Sequence, residues 1–184
     1  VKVSYGADWT EYGAHVLGGG QEVRFPLDVV WSSPNVDFIG IDAYFPLSDW
    51  RNGANHADAA LASSVYDLGY LRSRLAAGEA FDWYYADEAA RLSQQRSPIS
   101  DGAYGKPWIY RAKDLHGWWS NAHFERVNGR ELAQPTSFVP QGKPFWLTEI
   151  GCPAVDRGAN APNAFVDAKS SENALPPFSR GFRD

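Results

Sequence analysis

The sequence predicts a mixed α/β fold in which parallel strands alternate with helices. Three apolar runs are nearly continuous, as is expected of parallel strands that are buried on both faces. Helical patterns, with apolar residues three or four positions apart, lie between these runs. Because 184 residues are enough for one domain with a core, residues 1–184 are predicted to form a single segment of one domain.

The strands are predicted at Lys2–Tyr5, Val36–Ile41 and Phe145–Ile150. Asp8 and Asp42 follow the first two strands closely, and Glu149 lies near the end of the third. Gly151 and Pro153 then indicate a tight loop. Each predicted strand therefore delivers one carboxylate to the loop that follows it.

Helices are predicted at Asp58–Leu75, Trp83–Gln94 and Arg111–Trp119. The interval from Asp8 to Asp42 suits one strand–helix repeat of about 30 residues. The interval from Asp42 to Glu149 is far too long for one crossover, so it holds either a large helical insertion or a further strand at Lys106–Tyr110. The insertion is favoured, because Lys113–Leu115 continues as a helix.

Parallel strands with helical crossovers fit a (β/α) barrel or an open sheet. In a barrel, catalytic groups lie at the carboxyl ends of the strands and on the loops that follow. The side chains of Asp8, Asp42 and Glu149 are therefore expected to converge on one rim of the sheet. A whole barrel needs about 250 residues, so the chain is expected to supply only part of one, truncated at both ends.

Glu149, in the segment "WLTEIG", is the candidate catalytic residue. Hydrolysis of a glycoside needs two carboxyl groups, and in a retaining enzyme one of them attacks the sugar carbon as a nucleophile. A Glu at a strand end is rigidly aimed, and Trp146 and Tyr44 can tune it through an apolar wall or hydrogen bonds. The alternative is a structural acid that accepts hydrogen bonds from the next loop, and the spacing does not decide between the two.

For Asp8 and Asp42 the favoured role is structural, because an Asp that ends a strand often caps the following turn. Asp42, in "GIDAYFP", is better suited to bind substrate or orient a neighbour than to do chemistry. Glu11 is a weaker candidate for a proton donor. No residue of the chain stands out as the partner acid of Glu149.

Aromatic residues make up 15% of the chain and include eight Trp, and aromatic faces suit both sugar rings and a protein core. Core packing is the safer interpretation for any single ring. As a cluster that follows strand ends, Trp9, Tyr44 and Trp50 are the better candidates. The predicted substrate-binding residues are Asp8, Trp9, Asp42, Tyr44, Trp50 and Trp146.

Other functional classes find little support. The net charge of −5 and the scattered basic residues argue against nucleic acid as a partner. The His residues form no metal-binding pattern, so no metal or other cofactor is expected. Cys152 is predicted to be a small buried residue rather than a nucleophile. No apolar run approaches the ~20 residues of a membrane helix, so membrane insertion is not expected.

Several longer motifs point to one known family. They are "YGADWTEY" (5–12), "VDFIGIDAYFPLSDW" (36–50), "FDWYYAD" (81–87), "KPFWLTEIGCPAVDRGANAPNAFVDAKSSE" (143–172) and "PFSRGFRD" (177–184). The chain resembles, along nearly all of its length, the TIM-barrel-like domain of gene transfer agent and phage tail-tip proteins. In that family the domain belongs to the large host-specificity or hub protein of phage-like particles.

The resemblance implies a fold similar to that of glycoside hydrolases whose catalytic Glu residues lie on barrel strands four and seven. The three predicted strands would then be strands five, six and seven, and Glu149 would occupy the nucleophile position. The proton donor would lie on strand four, before Val1, and strand eight would follow Asp184. The chain by itself is therefore expected to lack the acid/base.

The resemblance also implies a location and partners. The domain would lie at the tail tip of a virion-like particle made in the bacterial cytoplasm, among other tail and baseplate proteins. There it would meet cell-envelope polysaccharide or peptidoglycan. Three functions stay open: a retaining glycoside hydrolase with Glu149 as nucleophile, an inactive glycan-binding module, and a structural spacer of the tail hub.

Overall fold

The computed structural model describes residues 1–182, and the chain divides into two compact units. The first unit consists of Val1–Ala43 and Ser100–Ile150, so two separate stretches of sequence build it. The second consists of Tyr44–Ile99 and the chain from Gly151 onwards. The last two residues of the motif "PFSRGFRD" lie outside the described part. The three strand-end acids all belong to the first unit.

The first unit contains two sheets, and both are built from short strands. Its strands are β1 Gly6–Asp8, β2 His15–Leu17, β3 Glu22–Arg24, β4 Ile39–Ala43, β7 Arg126–Val127, β8 Arg130–Glu131 and β9 Phe145–Ile150. Its helical elements are α1 Asp28–Trp31, α4 Leu115–Ser120 and the 3₁₀ turns Gly18–Gly20 and Pro107–Tyr110.

The described part of the second unit contains one short antiparallel pair of strands and short helices. Its strands are β5 Trp83–Tyr84 and β6 Ser97–Pro98. Its helical elements are α2 Leu68–Ser73, α3 Glu88–Ser93 and the 3₁₀ turns Ala57–Ala60 and Gly158–Asn160. Among residues 1–182, no helix is long and apolar enough to cross a membrane.

The parallel sheet has the strand order β1-β4-β9, which confirms the predicted parallel α/β architecture. Within the described residues it has three strands and does not close into a barrel. Strand β9 matches its predicted bounds, but β1 begins only after the predicted Lys2–Tyr5. In that segment the Val3 N–H donates to the Asp37 carboxylate (2.7 Å), and the Asp37 N–H donates to the Val3 carbonyl (2.8 Å). The Asp37 side chain, rather than a backbone carbonyl, accepts the hydrogen bond of the Val3 N–H here. The regular backbone pairing between the two strands therefore starts only at Gly6 and Gly40.

One face of the parallel sheet forms part of the core of the first unit. The residues of β1 and β4 on this face, each at most 4% exposed, are Ala7, Ile39, Ile41 and Ala43. Strand β9 departs from the expectation of burial on both faces, since Trp146 is 45% and Leu147 is 42% exposed. Because β9 is an edge strand of the described sheet, it has a neighbouring strand on one side alone.

The antiparallel sheet, ordered β2-β3-β7-β8, is not predicted by the apolar pattern. Its strands are two or three residues long, which is too short for a period of two to be recognised. One local signal does exist. Asn128 and Gly129 have φ values of 51° and 73° and join β7 to β8, and an Asn-Gly pair with positive φ at both residues is typical of a two-residue hairpin turn.

The helices are much shorter than predicted, and the aspartates within the predicted runs explain why. Asp67 accepts a hydrogen bond from the Tyr70 N–H (2.9 Å) and Asp87 accepts one from the Ala90 N–H (2.8 Å). Such bonds are N-caps, and a helix begins after its N-cap. The predicted helix Asp58–Leu75 is therefore broken at Asp67, and the helical part of Trp83–Gln94 starts after Asp87.

The long interval between β4 and β9 is a mixed insertion rather than a helical one. It holds α2, α3 and α4, but also the antiparallel pair β5 and β6 and the strands β7 and β8. Lys106–Tyr110 is not a strand, since Pro107–Tyr110 forms a 3₁₀ turn. The prediction that Lys106–Tyr110 belongs to an insertion and is not a further parallel strand is confirmed. The prediction that this insertion is mainly helical is wrong.

His123 is the central polar residue of the first unit and is fully buried. Its ring stacks between Phe25 (centroids 4.4 Å apart) and Phe138 (4.0 Å). Its Nδ1 atom lies 2.9 Å from the Asp28 carboxylate, and its Nε2 atom lies 2.8 Å from the Trp118 carbonyl oxygen. Both ring nitrogens therefore face oxygen acceptors, and the ring links α1 to α4 through the core.

Asp49 is a buried carboxylate of the second unit and is 4% exposed. It accepts hydrogen bonds from Arg51 Nε (3.0 Å), the Tyr85 hydroxyl (2.6 Å), Gln94 Nε2 (2.9 Å) and Arg96 Nη2 (2.8 Å). Burial and the bond to Asp49 raise the pKa of Tyr85 to about 12. A buried carboxylate with this many donors has its charge compensated within the unit.

Asp58 is the second buried carboxylate of this unit, at 3% exposed. It accepts hydrogen bonds from Arg96 Nη2 (2.6 Å), from the Asp49 N–H (3.0 Å) and from the Tyr70 hydroxyl. Burial raises the pKa of Asp58, but the hydrogen bonds from Tyr70 and Arg96 outweigh burial and hold the pKa below its usual value. Arg96 thus bridges both carboxylates.

We expect His123→Leu to lower the free energy of unfolding by about 2–5 kcal/mol, because the buried Asp28 carboxylate loses a donor. His116→Leu is the matched control, since His116 is exposed on α4, and it should change stability by less than about 0.5 kcal/mol. Urea denaturation followed by tryptophan fluorescence measures both values. Equal stability of the two variants would contradict the role assigned to His123.

The lowered pKa of Asp58 predicts a loss of stability in acid. The folded state holds this proton less tightly than the unfolded state, whose Asp pKa is about 3.9, so the stabilisation is complete above roughly pH 5 and is lost as the pH falls. Asp58→Asn should flatten the decline in unfolding free energy between about pH 5 and pH 3, as measured by urea denaturation. Asp167→Asn, at an exposed position of the same unit, should keep the wild-type decline, and an unchanged slope in Asp58→Asn would refute the assignment.

Candidate functional site

Three carboxylates stand side by side at the carboxyl ends of β1, β4 and β9. The register pairs Asp8 with Asp42, and Asp42 with Glu149. We call these three residues the acid row. Adjacent strands lie about 4.8 Å apart, so the backbones of the two outer members are separated by roughly 10 Å. The structure thus brings the predicted strand-end acids together on one rim of the sheet.

The acid row lies on the face of the sheet opposite the core. Side chains alternate along a strand and register partners share a face. Since Ala7 and Ile41 point into the core, Asp8 and Asp42 point away from it. Asp8 and Glu149 are exposed and Asp42 is half-buried. Solvent therefore reaches the row.

Asp8 caps the turn that follows β1. Its Oδ1 atom accepts hydrogen bonds from the Thr10 N–H (2.8 Å) and from the Thr10 hydroxyl (2.6 Å). Its carbonyl oxygen also accepts from the N–H groups of Glu11 (2.8 Å) and Tyr12 (3.0 Å). The structural interpretation of Asp8 as the cap of this turn is confirmed.

Asp42 is held by its neighbour strand rather than by a turn. Its Oδ1 atom accepts a hydrogen bond from the Thr148 hydroxyl of β9 (2.7 Å). Its carbonyl oxygen accepts from the Trp9 N–H (3.1 Å), which ties the loop after β1 to the end of β4. A Cβ atom on Gly6 would lie 3.4 Å from both carboxylate oxygens, so the glycine leaves room for this side chain.

Glu11 and Tyr5 extend the polar rim beside Asp8. The Tyr5 hydroxyl donates to Glu11 Oε1 (3.0 Å), and the Asp8 N–H lies 3.4 Å from Glu11 Oε2. The hydrogen bond to Glu11, and then the charge of that carboxylate, raise the pKa of Tyr5. Glu11 is therefore an acceptor near the row. Tyr5 lies within the motif "YGADWTEY", but the pattern of strand-end acids and aromatics does not single it out.

Two of the predicted substrate-binding aromatics belong to the first unit. Trp9 follows β1 directly and is half-buried. Trp146 is the register partner of Gly40, so it lies two residues, or about 6.6 Å, below Asp42 along the strand direction. Its ring stacks on Phe38 (centroids 4.1 Å apart), and Lys2 Nζ lies 4.9 Å from the ring centroid. Protein contacts thus engage the Trp146 ring, and its role in binding substrate stays a prediction.

The other two predicted aromatics, Tyr44 and Trp50, belong to the second unit. Trp50 packs edge-to-face on His56 (4.7 Å) and Tyr70 (5.7 Å). Its backbone N–H and carbonyl both bond to the Asn160 side chain, at 3.0 Å each. Trp50 is thus integrated into the packing of its own unit, and for both residues the substrate-binding role stays a prediction.

Cys152 is exposed, so the prediction of a small buried residue is wrong. It comes two residues after the end of β9, in a segment where Gly151 is also exposed. The first residues after β9 run over the surface, as connecting segments commonly do. Among residues 1–182, no group of three or more His, Cys, Asp or Glu side chains is arranged to hold a metal ion.

The acid row has the chemistry of a site for a hydroxyl-rich ligand. Ionised carboxylates are acceptors alone, and each offers two oxygens to the hydroxyl groups of a ligand. The carboxyl ends of parallel strands are also where open α/β sheets bind their ligands. Thr148 and Tyr5 add hydroxyl groups to the same rim, and the sequence pattern does not single out Thr148 either.

We expect Gly40→Ala to break the rim, because a Cβ atom there would lie 2.5 Å from the carbonyl oxygen of Tyr5, the residue before β1. Overpacking of this kind costs about 1–3 kcal/mol, measured as unfolding free energy in urea. Gly102→Ala is the matched control in the same unit, since a Cβ atom there has no neighbour within 4 Å. Equal stability of the two variants would contradict the claim that the pairing of β1 with β4 requires a residue without a Cβ atom at position 40.

Comparison with known families agrees with this geometry. The model of the family described as "GTA TIM-barrel-like domain" matches residues 1–184. A comparison with curated proteins finds no matching relative. The family has the parallel α/β character that β1, β4 and β9 display, and it associates the chain with gene transfer agent particles. Because the match covers the sequence from its first to its last residue, the chain belongs to the GTA TIM-barrel-like domain family.

Proposed function

We propose that the chain is a glycoside-hydrolase-like domain of a gene transfer agent tail protein, and that it acts on or binds a cell-envelope glycan. The observation that carries this proposal is the register of Asp8, Asp42 and Glu149 on one exposed rim. Membership in the GTA TIM-barrel-like domain family supports the association with a particle. The tail tip, with other tail or baseplate proteins as neighbours, is the proposed location.

Glu149 is the proposed nucleophile. In a retaining reaction its carboxylate attacks the anomeric carbon and forms a glycosyl-enzyme intermediate, while a second carboxyl group about 5 Å away protonates the leaving oxygen. Asp8 and Asp42 already accept hydrogen bonds from Thr10 and Thr148. They are better suited to accept hydrogen bonds from sugar hydroxyls than to donate the proton, and the proposed donor lies on barrel strand four.

A glycan-binding module without hydrolysis is the second candidate. The observation in its favour is that the carboxylates of Asp8, Asp42 and Glu11 all serve as acceptors for residues of the first unit. A rim of fixed acceptors binds hydroxyl groups without any bond cleavage. In this case polysaccharide or peptidoglycan is the ligand, and adsorption of the particle to the cell envelope is the function.

The test is an assay of the natural polypeptide that contains this chain, on purified peptidoglycan and on surface polysaccharide. We expect the wild type to release reducing ends and Glu149→Gln to slow this release by about 100-fold or more, since a carboxylate that takes part in the chemistry is lost. Glu172→Gln, at another exposed position, is the control and should keep the wild-type rate.

Binding is measured on the same glycans by co-sedimentation. Cleavage that is lost in Glu149→Gln while binding persists supports the hydrolase. Binding by all proteins without cleavage by any supports the second candidate. Equal cleavage by wild type and Glu149→Gln would refute the nucleophile, and the absence of both binding and cleavage would refute the glycan as ligand.

A further inference from the structure

The pairing between β4 and β9 changes register part of the way along the two strands. Residues 39–41 pair one to one with residues 145–147. Asp42 then pairs with Glu149, so that Thr148 is an additional residue of β9 and the strand contains a β-bulge. Bulges are rare between parallel strands, and they are over-represented next to active sites, where they re-aim a side chain.

The bulge sets the face of the sheet on which Glu149 lies. In an unbroken register, Thr148 would pair with Asp42 and Glu149 would pair with Ala43. Register partners share a face, so Glu149 would lie with Ala43 on the face opposite Asp42. In the observed register Glu149 is the partner of Asp42 and shares the face of the acid row. The register decides this placement rather than solvent access, since Ile150, the observed partner of Ala43, is also exposed.

The side chain of Thr148 is held in place by one hydrogen bond and by two glycines. Its hydroxyl donates to Asp42 Oδ1 over 2.7 Å, and hydrogen bonds to ionised acceptors are stronger than neutral ones. A Cβ atom on Gly40 would lie 3.3 Å from Thr148 Cγ2, and one on Gly6 would lie 3.6 Å from Thr148 Oγ1. Gly6 and Gly40 are register partners, and together they leave the space that Thr148 occupies.

We propose that Thr148 is a positioning residue, whose hydrogen bond to Asp42 stabilises the bulge and so keeps Glu149 in the acid row. A bulge disrupts the ladder locally and leaves its extra residue unpaired, so a compensating interaction is required. The Thr148–Asp42 hydrogen bond is that interaction, because it joins the extra residue to the one residue that both Thr148 and Glu149 oppose. The structural part of this inference is independent of the reaction, whereas its effect on catalysis rests on the proposed function.

The test compares two substitutions at one position. Thr148→Val keeps the shape of the side chain and removes the hydroxyl, while Thr148→Ser keeps the hydroxyl. Interstrand nuclear Overhauser effects, measured on the isotope-labelled chain, report the register directly. Wild type and Thr148→Ser should connect Asp42 to Glu149. Thr148→Val should connect Asp42 to position 148, and Ala43 to Glu149, as in an unbroken register.

Persistence of the Asp42–Glu149 connection in Thr148→Val would overturn the proposal. Thr148→Ala, which also lacks the hydroxyl, replaces it if Thr148→Val does not fold, and the same shift of register is expected. These readouts involve no glycan, so a failure of the proposed function leaves them unaffected. If the wild type cleaves glycan, Thr148→Val should lower kcat by about 100-fold with little change in KM, and Thr148→Ser should restore most of the rate. An equal loss in both variants would contradict the role of the hydroxyl.

Discussion

The close approach of β1 to β4 at Gly40 is the constraint on which the rim of the first unit depends. The Tyr5 carbonyl oxygen occupies the space in which any Cβ atom at this position would lie. The approach sets the register that pairs Asp8 with Asp42, and it opens the space that Thr148 uses on the other side. Each member of the acid row is therefore placed by backbone pairing, and side-chain contacts refine the placement.

Buried polar residues organise the rest of both units. In the first unit His123 joins Asp28 to the Trp118 carbonyl in the middle of an aromatic core. In the second unit Arg96 connects Asp49 with Asp58. Such groups are tolerated inside a protein because their hydrogen bonds are satisfied. Within each unit, these hydrogen bonds define a specific packing of short helices and strands that apolar contacts alone would not define.

The acid row combines structural and chemical roles in the same residues. Asp8 caps a turn and Asp42 holds Thr148, yet both carry a second oxygen that can accept a hydrogen bond from a ligand. The register of Glu149 depends on the irregularity of β9. In the hydrolase that we propose, Glu149 reacts while Asp8 and Asp42 hold the ligand. In the glycan-binding module that we propose, all three residues hold the ligand.

Apolar runs in the sequence located β9 and part of β4, since strands in a sheet commonly carry apolar residues. The predicted strand Lys2–Tyr5 ends before β1 begins. Strand β9 is predicted to the residue, whereas the helices are too long in the prediction because Asp67 and Asp87 act as N-caps. The β7–β8 hairpin has a local signal in Asn128 and Gly129, but its strands have no periodic pattern. Helix caps and turn residues are local signals that compete with the spacing of apolar residues, and the prediction followed the apolar spacing.

By itself, the sequence determined that carboxylates end three parallel strands, and its long motifs determined the family. Only the tertiary structure decided which strands are neighbours, that Asp42 stands between Asp8 and Glu149, and that a bulge at Thr148 puts Glu149 on the same face as Asp42. The physical reason is that strand order, register and bulges depend on pairing between residues far apart in the sequence, 34 positions for β1 with β4 and more than a hundred for β4 with β9. The local preferences of those residues are the same in either register.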